Sequence, residues 1–306
     1  MYKKFFGLKE NPFNVNPDPR YLFLTRHTQE ALACLTYGIQ RRRGFILLTG
    51  EVGTGKTTLL NKVLSWLQPQ RIATSFVFNP GLDPSQFFDY VLADFGLNCE
   101  SRLKGQMLLR LNKWLLERYH VGGTAVLIVD EAQNLSAQLL EEIRLLTNLE
   151  TSKEKLLQIV LSGQPELETK LSRPELRQLR QRITLRCKTQ PLTLEETHQY
   201  IASRLRIAGA DGRWVFTPEA IETVYTYSRG IPRVINLLCE HGLIIAFAEQ
   251  KRPVLAEAIQ EVAHEFQLDV VDPTAPLSAG ETDEGLRLRE AFQTLATLMD
   301  KLRRPR

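Results

Sequence analysis

The sequence predicts an α/β domain built on a five-stranded parallel sheet, followed by an all-helical domain. Short aliphatic runs alternate with helical segments up to about residue 190, which is typical of parallel strands joined by crossover helices. The runs show little alternation of apolar and polar residues, as expected of strands buried on both faces. After residue 190 no further strand is evident, and the periodic segments are helical.

The first domain, residues 1–190, contains the five strand-like runs. They are short and rich in β-branched or aliphatic residues: FILLT at 45–49, ATSFVF at 73–78, AVLIV at 125–129, LQIVLS at 157–162 and ITLR at 183–186. A helix start follows the second run, since Asp83, Pro84 and Gln86 fit a capping box with proline at the first helical position. Crossover helices of this kind are expected to cover both faces of the sheet.

The second domain, residues 191–268, is predicted to contain four helices. The first two begin at TLEE (193–196), which fits a capping box, and at TPEA (217–220), and each ends at a glycine. The segments PRVINLLCEHGLIIAFAEQ and LAEAIQEVAHEFQ supply the other two. We therefore expect a helical lid beside the sheet.

The C-terminal part has a different pattern. Residues 269–284 are polar, aperiodic and contain Pro and Gly, which predicts a flexible linker. Residues 285–306 predict an amphipathic helix, because apolar residues recur there at alternating spacings of four and three. These are Leu288, Phe292, Leu295, Met299 and Leu302. Such a helix would either pair with a second copy or cover the body of its own molecule.

Composition limits the classes of protein that the chain can represent. The formal net charge of +4 over 306 residues permits an acidic partner without requiring one. Four separated cysteines without a C-x-x-C pair predict free thiols in a reducing compartment, not a disulfide framework or zinc site. No apolar run approaches the roughly 20 residues that span a bilayer, and the N-terminus does not resemble a signal peptide. A cytoplasmic protein without a transmembrane segment is expected.

The segment GEVGTGKTT carries the strongest chemical signal. It fits G-x-x-x-x-G-K-[ST] between a strand and a helix, which is the context of a phosphate-binding loop. Its backbone N–H groups and the helix N-terminus attract phosphate. The candidate nucleotide-binding residues are Gly50, Glu51, Val52, Gly53, Thr54, Gly55, Lys56, Thr57 and Thr58. Lys56 is expected to reach the β- and γ-phosphates, and Thr57 to bind Mg²⁺.

The run AVLIVDEAQNL indicates where the metal and the attacking water would lie. The strand brings Asp130 to the carboxyl edge of the sheet, where its carboxylate would hold Mg²⁺ together with Thr57. Glu131 is placed to orient and deprotonate a water aimed at the γ-phosphate. The alternative is that Glu131 only favours the dipole of the following helix. Since no N-K-x-D segment specifies guanine, the expected ligands are ATP and Mg²⁺.

Arg233 is unusual because it lies in GIPR, at the beginning of a predicted helix. The positive end of a helix dipole disfavours a cation, so we expect an anionic partner near this guanidinium. The alternative is an arginine that faces solvent.

These features together resemble an AAA+ ATPase: a phosphate loop, a VDE strand, arginines before the fifth strand and a lid that opens with GIPR. More narrowly, residues 1–267 resemble the ExeA/GspA family. The segments that carry this resemblance are YKKFFGLKENPFNVNPDPRYLFLT, EAL..L.YGI, GEVGTGKTT, VDEAQNL, LSGQPEL and QRI. The resemblance implies an ATPase linked to type II secretion or to exopolysaccharide and exosortase clusters, similar to the ATPases that regulate transposition.

The resemblance also implies roles for further residues. Arg233 would be sensor 2 and contact the γ-phosphate, and Gln164 would be sensor 1, with Ser162 as the alternative. Arg182 would be an arginine finger that enters the neighbouring subunit's site, with Arg180 and Arg177 as alternatives. A ring or spiral homo-oligomer would follow, unless these arginines form only a solvated basic face. The N-terminal segment NPFNVNPDPRYLF would pack against the adenine.

Three functions remain open at this point. The first is an ATPase that assembles or remodels a protein of the secretion or envelope machinery. The family's best-described members carry a transmembrane helix and a wall-binding domain that this sequence lacks, so contact from the cytoplasm is expected. The second is an ATP-dependent oligomer that binds duplex DNA without sequence specificity, through the basic segments 41–43, 173–188 and 301–306. The third is a scaffold that binds ATP and hydrolyses it negligibly.

Overall fold

The structure is a computed structural model, which describes residues 2–14, 16–70, 72–78, 83–98, 103–210 and 215–268. The predicted linker at 269–284 and the predicted C-terminal helix at 285–306 lie outside the described residues. Within the described ranges, no helix combines the length and the hydropathy needed to cross a membrane.

Five parallel strands form one sheet, in the order β2-β3-β4-β1-β5. The strands are β1 Phe45–Thr49, β2 Ala73–Val77, β3 Ala125–Val129, β4 Leu157–Gly163 and β5 Ile183–Lys188. Strands β1, β3 and β4 are buried at every residue, because they lie inside the sheet and carry helices on both faces. The predicted parallel sheet is confirmed.

Helices cover both faces of the sheet, as predicted. The helices of the first domain and its N-terminal extension are α1 Tyr2–Phe6, α2 Arg26–Gln40, α3 Lys56–Leu67, α4 Pro84–Asp94, α5 Lys104–His120, α6 Ala137–Leu146, α7 Pro165–Leu171 and α8 Arg177–Arg182. Successive residues of β1 enter opposite cores: Leu47 packs with α4, α5 and α6, whereas Ile46 packs with α2 and α3. The capping box of Asp83 and Gln86 at α4 is present.

The helical part after the sheet also follows the prediction. Its helices within the described residues are α9 Leu194–Ile207, α10 Pro218–Ser228, α11 Pro232–Ala248 and α12 Ala256–Glu265. Thr193 and Glu196 form the capping box of α9, and Thr217 caps α10 through the N–H of Ala220. These local signals act within one helical turn, which is why the sequence places the helix starts well.

The N-terminal segment packs across the domain division. Tyr2, Phe6 and Phe13 lie in the core of the helical domain, although they precede the sheet in the chain. Arg204 of α9 fixes this segment by donating from Nε to the Pro12 carbonyl at 2.6 Å and from Nη2 to the Asn14 carbonyl at 3.3 Å. The predicted first domain, residues 1–190, therefore includes an N-terminal extension that packs against the helices of the predicted second domain.

Candidate nucleotide-binding site

A cleft opens between the carboxyl edge of the sheet and the helical domain. The phosphate loop lines it with Val52, Gly53, Thr54, Gly55, Lys56, Thr57 and Thr58. Glu131 lines it from the end of β3, Thr189 from the end of β5, and Arg233 from the start of α11. Gly50 and Glu51 lie at the base of the loop, where their carbonyl groups accept hydrogen bonds. The structure thus gathers the predicted loop, Glu131 and Arg233 around one space.

The phosphate loop depends on glycine at two places. Gly55 is the N-cap of α3 and has a φ of +94°, which an L side chain rarely adopts. Gly53 has a φ of +78°, and a Cβ there would lie 2.8 Å from the Cβ of Arg233. The loop is anchored laterally by Thr54, whose hydroxyl hydrogen-bonds that of Thr189 at 2.7 Å. Its shape is therefore set jointly by α3, by the end of β5 and by the lid.

Lys56 is buried beneath the loop, with 6% of its surface exposed. Its Nζ donates to the carbonyl oxygens of Gly50 at 2.7 Å and Glu51 at 3.0 Å. Burial lowers the pKa of Lys56, while the nearby carboxylates of Glu131 and Asp130 favour the charged form. The ammonium group is thus held at the base of the loop by carbonyl groups and opposite charges.

Asp130 is the centre of a buried network of oxygen atoms. The residue is 4% exposed and directly follows β3. Its Oδ2 accepts a hydrogen bond from Thr57 Oγ1 at 2.9 Å, and its Oδ1 accepts one from Ser162 Oγ at 2.7 Å. Ser162, the alternative to Gln164 in the sequence prediction, is therefore engaged by the Asp130 carboxylate. A carboxylate and a hydroxyl are oxygen donors of the kind that Mg²⁺ prefers, so this pair fits the expected metal.

Glu131 has an uncommon backbone conformation, with a φ of +53°. Non-glycine residues in this region are rare and cluster at functional sites. Its Oε2 accepts hydrogen bonds from Gln133 Nε2 at 2.6 Å and from Gln164 Nε2 at 3.3 Å. Only a short 3-10 turn follows, and α6 has its own cap at Ser136. No α-helix begins at Glu131, so the alternative role of Glu131, to stabilise the dipole of a following helix, has no helix at this residue.

Gln133 is a site residue that the sequence analysis missed. Its Nε2 holds the Glu131 carboxylate, and its Oε1 accepts the backbone N–H of Gln164 at 3.2 Å. Lys170 of α7 donates from Nζ to the Gln133 carbonyl at 2.8 Å, which fixes the turn itself. The available signal was a polar side chain two residues after Glu131, in DEAQNL. Gln133 and Gln164 thus form a pair of amides around Glu131.

Arg233 joins the lid to the phosphate loop. Its backbone N–H donates to the Gly53 carbonyl at 3.2 Å, and its exposed side chain lines the cleft. Among the described residues, no ion pair involves its guanidinium. The side chain therefore faces the space where the anionic partner was expected.

The arginines of α8 lie away from this cleft. Arg177 and Arg180 are exposed, whereas Arg182 is partly buried and donates from Nη1 to Thr147 Oγ1 at 2.5 Å. None of the three lines the cleft of its own chain. This placement leaves the finger role a prediction that concerns a neighbouring copy.

The N-terminal segment forms the far wall of the cleft. Asn14, Asn16 and Pro17 line it before the chain reaches α2, and Asn61 of α3 donates to the Pro17 carbonyl at 3.1 Å. Tyr21 and Arg204 line the same wall, with the guanidinium 4.6 Å from the centre of the Tyr21 ring. Planar and polar groups therefore meet beyond the phosphate loop, and the contact of this segment with adenine stays a prediction.

Comparison with known proteins assigns a family. The AAA domain family matches residues 39–171. General secretion pathway protein A of Aeromonas hydrophila is 44% identical over 266 residues, which cover 87% of this chain and 48% of that protein. The chain thus spans about half the length of this relative.

Solved structures share the fold. The ORC2 protein of Aeropyrum pernix, solved in ADPNP–ADP complexes, matches with a TM-score of 0.64 and 16% identity over 84% of this chain and 72% of that one. Drosophila ORC bound to DNA matches with a TM-score of 0.63 and 19% identity over 94% of this chain and 77% of that one. These structures show the shared fold. The 44% identity and the AAA domain match assign the chain to the AAA+ proteins, in the family of general secretion pathway protein A.

Proposed function

We propose that the chain binds ATP in this cleft and hydrolyses it. The observation that carries the proposal is the meeting of Lys56, Thr57 and Asp130 at the phosphate loop, with Glu131 beside them. Lys56 supplies a buried cation beneath the loop, and Arg233 supplies a second cation from the lid. A triphosphate is the ligand whose charge this arrangement matches.

Thr57 and Asp130 would hold Mg²⁺, and the bound ion would neutralise charge on the phosphate oxygens. The remaining chemistry belongs to side chains of this chain. Glu131 accepts a proton from the attacking water, because its carboxylate lines the cleft and Gln133 and Gln164 orient it. Gln164, at the end of β4, also helps to place that water.

Calorimetry with Mg·ATP tests the binding step on the intact chain. We expect Lys56→Ala to remove the heat of binding, since the loop loses its buried cation. Lys62→Ala is the matched control, because Lys62 is exposed on the same helix, and it should bind ATP as the wild type does. Equal affinity of Lys56→Ala and Lys62→Ala for ATP would contradict the proposal.

We propose that the active unit is a homo-oligomer in which an arginine of α8 completes the neighbour's site. Arg182 is the first candidate, and Arg180 and Arg177 are the alternatives. The exposure of α8 supports this arrangement, since a finger must reach beyond its own chain. Turnover per chain should rise with protein concentration, and alanine at the finger position should abolish turnover without weakening ATP binding. If all three alanine variants keep full turnover, no finger lies on α8.

The proposed role of hydrolysis is to assemble or remodel a protein partner of the secretion or envelope machinery, from the cytoplasm. Its support is the 44% identity to general secretion pathway protein A. Affinity capture with Glu131→Gln in ATP, compared with wild type in ADP, tests this role. A secretion or envelope protein retained only in ATP is expected, and identical captures in both states would argue against it.

An alternative is ATP-dependent binding of duplex DNA. Exposed Arg173 precedes α8, and exposed Arg177 and Arg180 lie on it, so this segment offers basic groups to phosphates. Filter binding across a salt series separates the two roles, because contacts to phosphates weaken steeply as salt rises. Affinity that appears only with ATP supports DNA binding, and no retention at low salt excludes it.

A further inference from the structure

Two cysteine thiols meet where helix α2 packs on the edge strand β5. Cys34 is partly exposed on α2, and Cys187 is 8% exposed on β5. Both belong to the apolar cluster on the α2 and α3 face of the sheet. Neither lines the nucleotide cleft, so the proposed ATPase chemistry leaves this pair unexplained.

The packing of α2 explains why the two thiols come together. A Cβ at Gly38 would lie 2.5 Å from Cδ1 of Ile46 on β1 and 2.7 Å from Cδ1 of Leu185 on β5, so the missing side chain lets α2 approach both strands closely. Cys34 lies one turn before Gly38 on the same helix face, and Cys187 lies two residues after Leu185 on the same strand face. One helical turn advances about 5.4 Å and two strand residues about 6.6 Å.

These two steps lead in the same direction. Helix α2 runs antiparallel to the sheet, since a short turn at 41–44 connects it to β1 and its first turn reaches the cleft with Thr28. Moving toward the start of α2 therefore means moving toward the end of β5. One helical turn away from the contact of Gly38 with Leu185, Cys34 therefore lies beside Cys187.

The two thiols differ in acidity and in access. Hydrogen bonding with the Cys187 thiol lowers the pKa of Cys34 below its ordinary value. The same interaction, together with burial, raises the pKa of Cys187, whose Sγ also lies 3.5 Å from the Leu47 carbonyl oxygen. Cys34 is therefore the more acidic and the more accessible of the two thiols, and reactive cysteines share these two properties.

We propose that Cys34 and Cys187 are an oxidation site, which peroxide closes to an intramolecular disulfide. The Cys34 thiolate attacks one oxygen of hydrogen peroxide, the O–O bond breaks, and hydroxide leaves to give a sulfenic acid. The Cys187 sulfur then attacks the sulfenic sulfur, so that the S–S bond forms and the S–O bond breaks. The Cys187 proton leaves with that oxygen as water. The two thiols together lose two electrons, which reduce the peroxide to water.

The disulfide would lie outside the cleft and would link α2 to β5, each of which leads to a residue of the cleft wall. Two residues beyond Cys187, Thr189 hydrogen-bonds Thr54 of the phosphate loop. At the other end, Thr28 in the first turn of α2 lines the cleft. Closure of the disulfide would therefore fix α2 to the strand that supports the loop.

Peroxide treatment of the folded, full-length chain tests the site. Samples are alkylated and digested without reduction, and mass spectrometry identifies the linked peptides. We expect a Cys34–Cys187 peptide pair that is lighter by two hydrogen atoms and is reversed by dithiothreitol. Cys34→Ser should remove this pair, whereas Cys239→Ser should keep it, because Cys239 is fully buried in the helical domain.

A second measurement covers the case in which a variant at the buried position folds poorly. In Cys187→Ser, no neighbouring thiol converts the sulfenic acid of Cys34 to a disulfide. The adduct of dimedone with this sulfenic acid should therefore accumulate several-fold above the wild-type level. The same labelling in Cys34→Ser should give none at Cys187. The proposal fails if Cys34 resists peroxide, oxidises to the sulfinic acid while Cys187 stays reduced, or pairs with Cys99 or another molecule.

Discussion

The two sides of the cleft hold their charged groups in different ways. On the sheet side, Lys56 is bonded to loop carbonyls, and Asp130 receives hydrogen bonds from Thr57 and Ser162. On the helical side, the side chain of Arg233 is exposed, and its guanidinium forms no ion pair within the described residues. One side is satisfied by the protein itself, whereas the other presents an uncompensated cation.

This difference indicates that the sheet side serves catalysis, whereas the helical side responds to the nucleotide that is bound. Groups fixed by their own chain keep their positions before ligand arrives, which reduces the reorganisation needed during a reaction. An exposed cation gains a partner only when an anion enters, so its contribution depends on which nucleotide is bound. The backbone bond from Arg233 to Gly53 already connects the lid with the loop. We therefore expect mutations on the sheet side to affect turnover most, and mutations on the lid side to affect nucleotide discrimination.

Glu131→Gln tests the sheet side most severely. We expect turnover to fall about 100- to 10,000-fold, because an amide cannot accept the proton of water. ATP affinity should change little, since Lys56 and the loop remain. Phosphate release and calorimetry measure the two quantities separately.

The control for this variant is Glu175→Gln, because Glu175 is exposed and lies outside the cleft. It should turn over ATP at the wild-type rate. Unchanged turnover in Glu131→Gln would mean that another group activates the water.

Gln133→Met tests whether the amide pair positions Glu131. The change keeps the length of the side chain and removes the donor to Glu131 and the acceptor for Gln164. Hydrogen bonds to charged groups contribute about 1.5–3 kcal/mol, so we expect kcat to fall roughly 10- to 100-fold. The KM for ATP should stay near its wild-type value, and steady-state kinetics measure both.

A double mutant distinguishes positioning from damage to the fold. In a Glu131→Gln background, Gln133→Met should cause little further loss of kcat, because there is no carboxylate left to orient. Gln138→Met, at an exposed position of α6, is the matched control. A further loss of the same size in the double mutant would show that Gln133 acts independently of Glu131.

The sequence predicted the parts of this site that depend on local pattern. Buried strands read as aliphatic runs, the phosphate loop has fixed spacing, and Asp130 follows its strand directly. Helix starts at Thr193 and Asp83 were also local, because a cap and its partner lie three residues apart. Such features need no knowledge of the tertiary fold.

Other features depend on contacts between distant segments. Thr54 bonds Thr189 because β5 ends beside the phosphate loop, and Ser162 reaches Asp130 because β4 lies next to β3. Sheet order is not written in any short segment, so these partners could not be assigned. The left-handed backbone of Glu131 was equally invisible, since nothing in VDEAQ distinguishes it from ordinary conformations.

Arg233→Ala addresses the lid side of the comparison. We expect the affinity for ATP to fall about tenfold more than the affinity for ADP, because a charge-assisted bond to the terminal phosphate is lost. Dissociation constants for both nucleotides provide the measurement, and their ratio is the quantity of interest. Arg206→Ala, exposed on α9, should leave that ratio unchanged. An equal loss for ATP and ADP would mean that Arg233 does not distinguish the two nucleotides.

Tyr2→Phe tests how the helical side holds a second charged group, Glu240, and its expected effect is on stability alone. The Tyr2 hydroxyl donates to the carboxylate of Glu240, at 2.7–2.8 Å, on the helix that begins beside Arg233. Burial raises the pKa of Glu240 above its ordinary value of 4.5, and the hydrogen bond from Tyr2 opposes that rise. Without the hydroxyl, the pKa of Glu240 in the folded state should rise further.

The sign of the pH dependence follows from this. A carboxyl group whose folded pKa is raised destabilises the fold as pH rises through that value, because its ionised form is disfavoured there. Tyr2→Phe should therefore cost about 1.5–3 kcal/mol of unfolding free energy at neutral pH, and about 1 kcal/mol at a pH near 4. Urea unfolding at both pH values measures the difference, with Tyr225→Phe, on α10, as the control. Equal losses at both pH values would mean that the hydrogen bond from Tyr2 does not depend on ionisation of Glu240.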